Sequence, residues 1–414
     1  MRFDMIKEKY IDTIKSRVDI SQLVMDLCPG TSLLNAGKNR KKCCCVFHSE
    51  KTPSLMLDLS LNMFKCFGCG KGGDIISFVQ ELKGFDFVEA VKFLLKTYCP
   101  DVDTSDLYSK QTDEEIEAEQ HRESLFICNK FAYDFFRQQY EADCDESARC
   151  RLYAEDRWER EFCKTLGLGY APLKGNQFLA FAKKQGLKTE LLLELGLIAQ
   201  EEDHPDHYYD FYRGRLMIPQ RDRYGRIVTF TARSLNPQAT NKYLNGKDSP
   251  IYKKSLSIFG IDVALKAARQ SGKVYLVEGA PDVMRLQSLG IPNVVASLGG
   301  AWSKEQLNTF SRFGCSLCFI PDADVPKEGE RFGKGEQFVF KNGRLATELG
   351  FQVSVREIPT DGKVKQDADS YITSMDQWET LTEKDFILWY ADKHYDLDGT
   401  NDDQLKTISE VCDL

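Results

Sequence analysis

Two pairs of metal-binding side chains constrain this chain more than any other feature. Cys45-Val-Phe-His48 is followed, seventeen residues later, by Cys66-Phe-Gly-Cys69. Each pair spans a two-residue gap, and the insert between them is of hairpin length. Four such ligands close a tetrahedral zinc site, with bonds of roughly 2.0–2.3 Å and no position left for substrate. The expected unit is a zinc ribbon with a structural ion. Glycines 68, 70, 72 and 73 permit the tight knuckle turns. Cys43 and Cys44 adjoin Cys45, but only Cys45 lies two residues from His48. The opening MRFDMIKEKYIDTIKSRVDI is charged throughout and has no apolar core with a cleavage site, so it does not read as a signal peptide. A cytoplasmic setting is expected, where a tight cysteine cluster binds metal rather than forming disulfides. Lys38, Arg40, Lys41, Lys42, Lys51 and Lys65 surround the cluster, interleaved with Phe47, Phe64 and Phe67. That pattern suits single-stranded nucleic acid, and composition alone leaves a solvated rim over packed aromatics equally open.

The 414 residues suffice for two or three domains, at roughly one per 100–200 residues. With 42% hydrophobic and 29% charged residues the chain is not globally disordered. Apolar runs such as Val274–Val277 and Val294–Leu298 fall far short of the roughly 20 residues that span a bilayer, which excludes an integral membrane protein. The net charge of -8 argues against a polyanionic partner only until its distribution is read. Residues 210–273 hold 13 Lys/Arg against 4 Asp/Glu, whereas residues 101–150 hold 5 against 14 and residues 370–414 hold 3 against 11. A locally basic surface binds nucleic acid whatever the total.

The expected fold class is multidomain α/β. Residues 1–100 comprise an amphipathic start (Ile6–Leu27), the ribbon, and one helix from Gly73 to Tyr98 N-capped by Asp74. Residues 101–120 read as an acidic linker. Residues 121–271 form a mixed α+β basic subdomain, helical from Leu125 to about Ile198 with a turn at Gly167–Pro172. Short β runs follow within Arg215–Arg233, around the turn Asp222–Gly225. Residues 272–370 alternate: strand Val274–Val277, helix Asp282–Leu289, strand Val294–Ala296, helix Lys304–Phe313, strand Ser316–Ile320, helix Gln337–Leu349, strand Gln352–Glu357. Such alternation predicts a parallel sheet with helices on its faces. Residues 371–414 read as an acidic helical segment.

Carboxylates recur where those strands end. Glu278 and Asp282 follow the first strand, Asp322 and Asp324 the third, and Asp367 and Asp369 the last. Sites form at the carboxyl ends of parallel strands, and clustered acids repel unless cations neutralise them. Oxygen ligands of this kind suit Mg²⁺ or Mn²⁺ and predict metal-assisted phosphoryl transfer. One acidic pair is common in loops and caps; three on successive strands point to a site.

The run KCCCVFHSEKTPSLML…FKCFGCGKGGDIISFV resembles the zinc-binding domain of bacterial DnaG-type replicative primases, with Val46 in place of the usual proline. The resemblance implies Cys45, His48, Cys66 and Cys69 as zinc ligands and a part in recognising template and initiation sequence. The acidic segments resemble the TOPRIM fold of the same family. Ala280 and Pro281 stand inside the first motif, Ala323 replaces the glycine between Asp322 and Asp324, and VPKEGERFGKGEQ stands where an Ala-Gly turn is usual. Ala296-Ser-Leu-Gly-Gly-Ala and TLGLGYAP also match. The basic stretch YRGRLMIPQ…SIFG is similar to the primase core, which implies that Arg233, Lys242 and Lys254 line a groove for template and nucleotide. Arg213, Arg215, Arg221 and Lys253 are weaker candidates.

The resemblance covers about residues 12–100 and 120–372. It implies a DNA-directed RNA polymerase that makes short primers on single-stranded DNA from ribonucleoside triphosphates. Glu278, Asp322 and Asp324 would bind catalytic Mg²⁺ or Mn²⁺, with Asp282, Asp367 and Asp369 completing the acidic cluster. A second reading is a non-catalytic zinc/TOPRIM protein that binds single-stranded DNA or recruits a helicase. DNA cleavage of the type IA topoisomerase kind is disfavoured, because too few residues follow the acids to build a gate with a nucleophilic tyrosine. The family usually adds a helicase-binding domain after this core. Recruitment of a replicative helicase is therefore expected to differ or be absent, as in a phage or mobile-element relative or a shortened chain.

Overall fold

The computed structural model describes residues 5–109, 113–299, 301–311, 313–360 and 364–394. The chain divides into two compact units, residues 1–119 and 120–414.

In the first unit, strands β1 (Met5–Ile6) and β7 (Tyr108–Ser109) pair antiparallel, and helices α1 (Glu8–Arg17) and α2 (Ile20–Leu27) follow β1. The ribbon is a five-stranded antiparallel sheet in sequence order: β2 (Leu34–Asn35), β3 (Arg40–Cys43), β4 (Leu55–Asp58), β5 (Met63–Cys66) and β6 (Gly72–Asp74). Ile14, Leu23, Leu57, Phe64, Phe78 and Leu94 belong to one buried core. The single helix expected over Gly73–Tyr98 is two. Helix α3 (Ile75–Lys83) is capped by Asp74 and stops at Gly84, whose φ of +69° no side-chain-bearing residue adopts cheaply. Helix α4 (Phe87–Tyr98) restarts at Asp86 in a reciprocal capping box with Glu89. The acidic stretch after Pro100 is not a free linker as far as Ser109. Asp101 pairs with Arg17 at 2.7 Å, and Asp106 with Lys7 and Lys9 at 2.8 Å each.

The second unit begins with five helices: α5 (Asp113–Glu141, which starts just before the boundary), α6 (Asp145–Glu155), α7 (Arg160–Leu166), α8 (Gln177–Lys184) and α9 (Thr189–Glu194). Strand β8 (Gly169–Ala171) lies between α7 and α8, and β9 (Ile198–Glu201) and β10 (His204–Asp210) form a separate hairpin. β8 joins β11 (Arg215–Arg221), β12 (Ile227–Ser234) and β13 (Tyr243–Asn245) in an antiparallel sheet of order β13-β12-β11-β8. Helix α10 (Ile261–Ser271) leads into the alternating region. There β14 (Lys273–Val277), α11 (Ala280–Ser288), β15 (Val294–Ala296), α12 (Lys304–Ser311), β16 (Ser316–Phe319), α13 (Lys334–Glu348) and β17 (Val353–Arg356) succeed one another.

The β15-β14-β16-β17 sheet is parallel, and β18 (Glu383–Asp385) adds an antiparallel edge. Val274, Leu276, Leu317 and Phe319 are all fully buried, as strands covered on both faces require. Strand order reverses at β14, whose neighbours are β15 on one side and β16 on the other. A crevice at the carboxyl ends of β14 and β16 follows from that reversal.

Strand β18 corrects the all-helical expectation for residues 371–414. Three residues are too short to show a period, and Glu383 is held there by Lys273 at 2.7 Å and by the Ser354 hydroxyl at 2.6 Å. Helices α14 (Ala368–Tyr371), α15 (Met375–Thr380) and α16 (Phe386–His394) make up the other regular elements described there. Residues 395–414 of that segment lie outside the described residues. No described helix is long and apolar enough to cross a membrane.

Candidate active site and metal centres

In the ribbon, the Cys66–Cys69 turn follows β5 directly, and Cys45 and His48 lie in the connection from β3 to β4. Backbone N–H groups donate to sulfur in both turns, Phe47 to Cys45 and Cys69 to Cys66, each at 3.3 Å. The four ligand atoms lie within 4.8 Å of one another. Cys45 Sγ and Cys69 Sγ are 3.8 Å apart, as are Cys66 Sγ and His48 Nδ1. Two sulfurs each about 2.3 Å from a tetrahedral ion stand about 3.8 Å apart, so these residues fit zinc. Cys43 and Cys44 are not in the set.

Glu50 completes the arrangement, and ligand spacing gave no sign of it. Its Oε2 lies 3.2 Å from His48 Nε2, while its Oε1 accepts from the Cys45 and Ser54 N–H groups at 2.6 and 3.0 Å. A carboxylate on the far nitrogen fixes the ring and its tautomer. Gly68 is required by close approach, since a Cβ there would sit 2.7 Å from His48 Nε2. Of the three phenylalanines, Phe64 is buried and Phe47 packs on it and on Phe78, whereas Phe67 is 72% exposed.

At the sheet crevice the six acids divide. Glu278, Asp322 and Asp324 each offer an oxygen within 4.8 Å of the others. The Asp322 N–H donates to Glu278 Oε1 at 3.3 Å, and the Gly335 N–H donates to Asp324 Oδ2 at 3.0 Å. Burial, and then the charge of Asp322, pushes the Glu278 carboxyl up to about 7. Lys365 Nζ lies 2.8 Å from both Asp322 Oδ2 and Asp324 Oδ1. An ammonium thus stands where a cation is wanted, and the three half-buried oxygen donors fit a divalent ion.

The other three acids have structural partners. Asp282 is buried and accepts from the backbone N–H groups of Gly279 and Asp369, each at 3.1 Å. Asp367 caps α14 through the Ser370 N–H at 2.8 Å. Burial, and then the charges of Asp322 and Asp367, raise the proton affinity of Asp282, and Asp367 also raises that of Asp322. Asp369 lies outside the set of three. It is 2% exposed and paired with the guanidinium groups of Arg157 and Arg285, the latter at 3.3 Å.

The inserted segment after Asp324 leaves the acidic loop intact. The chain departs at Val325 and returns at Gly333 and Gly335, where α13 starts three residues before the expected Gln337. A Cβ on Gly335 would lie 2.0 Å from the Asp322 carbonyl oxygen, and one on Gly333 2.5 Å from that of Asp324. Only glycine allows the helix start to press so closely on the loop.

Among the basic candidates, Arg233 on β12 donates from Nε to Tyr153 Oη at 3.0 Å and lies 4.8 Å over the Tyr243 ring. Arg157 donates to the same Tyr153 oxygen at 3.1 Å and reaches Asp369. A chain Arg233–Tyr153–Arg157–Asp369 therefore links the antiparallel sheet to the edge of the acidic crevice. Sequence reading missed Tyr153 and Arg157, which sit around the end of α6 without motif or period. Lys242, Lys253 and Lys254 are exposed, and Lys254 Cε lies 3.8 Å from the Cβ position of Gly299. In that loop Leu298 has a φ of +55°, and Gly300 lies outside the described residues. Three weaker candidates are structural ties: Arg213 to Asn176 at 2.8 Å, Arg215 to the Asn241 carbonyl at 3.1 Å, and Arg221 to the Leu166 carbonyl at 2.9 Å.

Comparison with known proteins agrees with this layout. Residues 6–110 match the CHC2 zinc finger family, residues 135–265 the DNA primase catalytic core N-terminal domain, and residues 275–372 the Toprim-like family. A DNA primase of Clostridium acetobutylicum is 32% identical over 369 residues, which are 89% of this chain and 57% of that protein. The chain thus spans little more than half the length of this curated relative. The zinc-binding and RNA polymerase domains of Aquifex aeolicus primase align at 26% identity and a TM-score of 0.55, covering 97% of this chain and 96% of that one. A DnaG primase catalytic domain bound to single-stranded DNA shares the fold at 22% identity and a TM-score of 0.55, covering 70% and 92%. With the ribbon, the catalytic core and the TOPRIM sheet present in that order, the chain belongs to the family of bacterial DnaG-type primases.

Proposed function

We propose that this chain synthesises short RNA primers on single-stranded DNA by metal-dependent nucleotidyl transfer from ribonucleoside triphosphates. The observation that carries the reading is the Glu278, Asp322 and Asp324 centre at the strand-order reversal, with the Arg233–Tyr153–Arg157 chain beside it. These three acids would hold Mg²⁺ or Mn²⁺, which when bound supplies charge neutralisation and polarisation of the reacting oxygens. Asp282 and Asp367 set the loops from which the acids project. Arg233, Lys242 and Lys254 would pair with phosphates of template and nucleotide, where fixed cations align the reacting groups. Zinc on Cys45, His48, Cys66 and Cys69 would hold the ribbon rigid for contact with template. The single-stranded DNA bound to the related catalytic domain supports that choice of template. The division into residues 1–100 for template recognition, 121–271 for the basic groove and 272–370 for catalysis is part of the same proposal. The non-catalytic alternative loses its main support, since the altered second motif keeps both acids in contact with a glycine-led helix start.

The test is primer synthesis on single-stranded templates with ribonucleotides and Mg²⁺ or Mn²⁺, comparing the unaltered chain with Glu278→Gln and Asp322→Asn. A loss of roughly a hundredfold or more is expected for each variant, since each removes charge that acts on the transition state. Equal product from all three would end the proposal.

A further inference from the structure

Among the described residues, Lys365 is the one basic side chain paired with the three-carboxylate centre, and its position is set by backbone. Gln366 and Ala323 form an isolated antiparallel bridge, with N–H to carbonyl distances of 2.8 Å from Ala323 and 3.1 Å from Gln366. That pairing sets Lys365 opposite Asp324 and Asp367 opposite Asp322. The ammonium then lies 2.8 Å from one oxygen of Asp322 and 2.8 Å from one of Asp324. Both carboxylates are 11% exposed, while the lysine side chain is 54% exposed. The acids are therefore anchored in the crevice, and the lysine reaches them from the solvent side on a flexible stem.

We propose that Lys365 is a tethered competitor for the divalent cation. With no ion bound, its ammonium offsets the repulsion among Glu278, Asp322 and Asp324, which would otherwise stand close together in a poorly solvated crevice. A divalent ion needs the same Asp322 and Asp324 oxygens, so loading requires the ammonium to leave for solvent. Two consequences follow. Cation affinity is set below what the three acids alone would give, and each loading event is coupled to displacement of one side chain rather than to a backbone movement. The proposal rests on the metal-centre reading above and adds to it a residue that ligand-type reasoning passes over, since lysine binds no metal.

The experiment is Mn²⁺ binding by the full chain without DNA or nucleotide, followed by the electron paramagnetic resonance signal of free Mn²⁺. Lys365→Met removes the charge and keeps the stem, Lys365→Gln is a second neutral variant, and Lys365→Arg restores a cation. Asp322→Asn identifies the site being read, and circular dichroism melts check that every variant is folded. The neutral variants are expected to bind Mn²⁺ roughly three- to tenfold more tightly, the scale of one partly exposed ion pair. Lys365→Arg should return the affinity toward that of the unaltered chain. If Asp322→Asn abolishes binding while the neutral variants bind no more tightly than the unaltered chain, the role given to Lys365 is wrong and the metal centre stands. If no form shows binding that depends on Asp322, the metal centre itself fails and the competitor with it.

Discussion

The two ligand sets of this chain are held together in opposite ways. In the ribbon, four ligands fall within one short stretch of chain, on turns between strands of a small sheet. At the acidic crevice, Glu278 is separated from Asp322 and Asp324 by two strands, two helices and their loops. There the surrounding parallel sheet, with fully buried Val274, Leu276, Leu317 and Phe319, fixes the position of the acids. An ion in the first set would be part of what makes the fold; in the second it would enter a fold already made.

Zinc removal should expose that contrast most strongly. Structural zinc contributes about 10 kcal/mol or more to small zinc-dependent domains. A chelator should therefore abolish the melting transition of the first unit while leaving that of the second unchanged, read by calorimetry on the full chain. If chelation shifts neither transition, the ribbon does not depend on its metal.

A smaller effect is expected from Gly335→Ala. The added methyl meets the Asp322 carbonyl oxygen, so either the helix start or the acidic loop must shift, at a cost of about 1–3 kcal/mol. Mn²⁺ affinity at the crevice should fall, while zinc content, measured by metal analysis, stays at one ion per chain. Unchanged Mn²⁺ affinity would show that the loop tolerates displacement.

The smallest effect concerns pH. Glu278 takes up protons more readily in the fold than in an unfolded chain, so its ionisation weakens the metal-free fold as pH rises from about 4.5 toward 7. Glu278→Gln lacks that ionisation. Its melting temperature relative to the unaltered chain should rise across this window and level off above it, and a difference independent of pH would place the shifted proton elsewhere.

How much of this was legible in the sequence follows the same division. Ligand spacing identified the zinc set because the distances that matter are short along the chain. The β–α–β alternation was legible because strands buried on both faces must be apolar. The break at Gly84 was hidden because apolar residues continue on either side of it, and only the capping pair Asp86 and Glu89 marked the restart. The separation of Asp369 from the other acids was not legible at all. It depends on Arg157, 212 positions away along the chain, and on Arg285, and no local pattern ties either to a carboxylate. Lys365 escaped for a related reason, since its pairing with Asp324 comes from a two-residue bridge too short to leave a period.

The Arg157–Asp369–Arg285 contact also bears on how the second unit can move. Arg157 comes from the helical layer around α6 and α7, Arg285 from α11 and Asp369 from α14, so one sunken carboxylate rivets three segments together. Prising them apart would strand a charge out of reach of water, at a cost of several kcal/mol. The helical layer and the parallel sheet are therefore clamped to one another at this point, and any hinge between them has to break the clamp first.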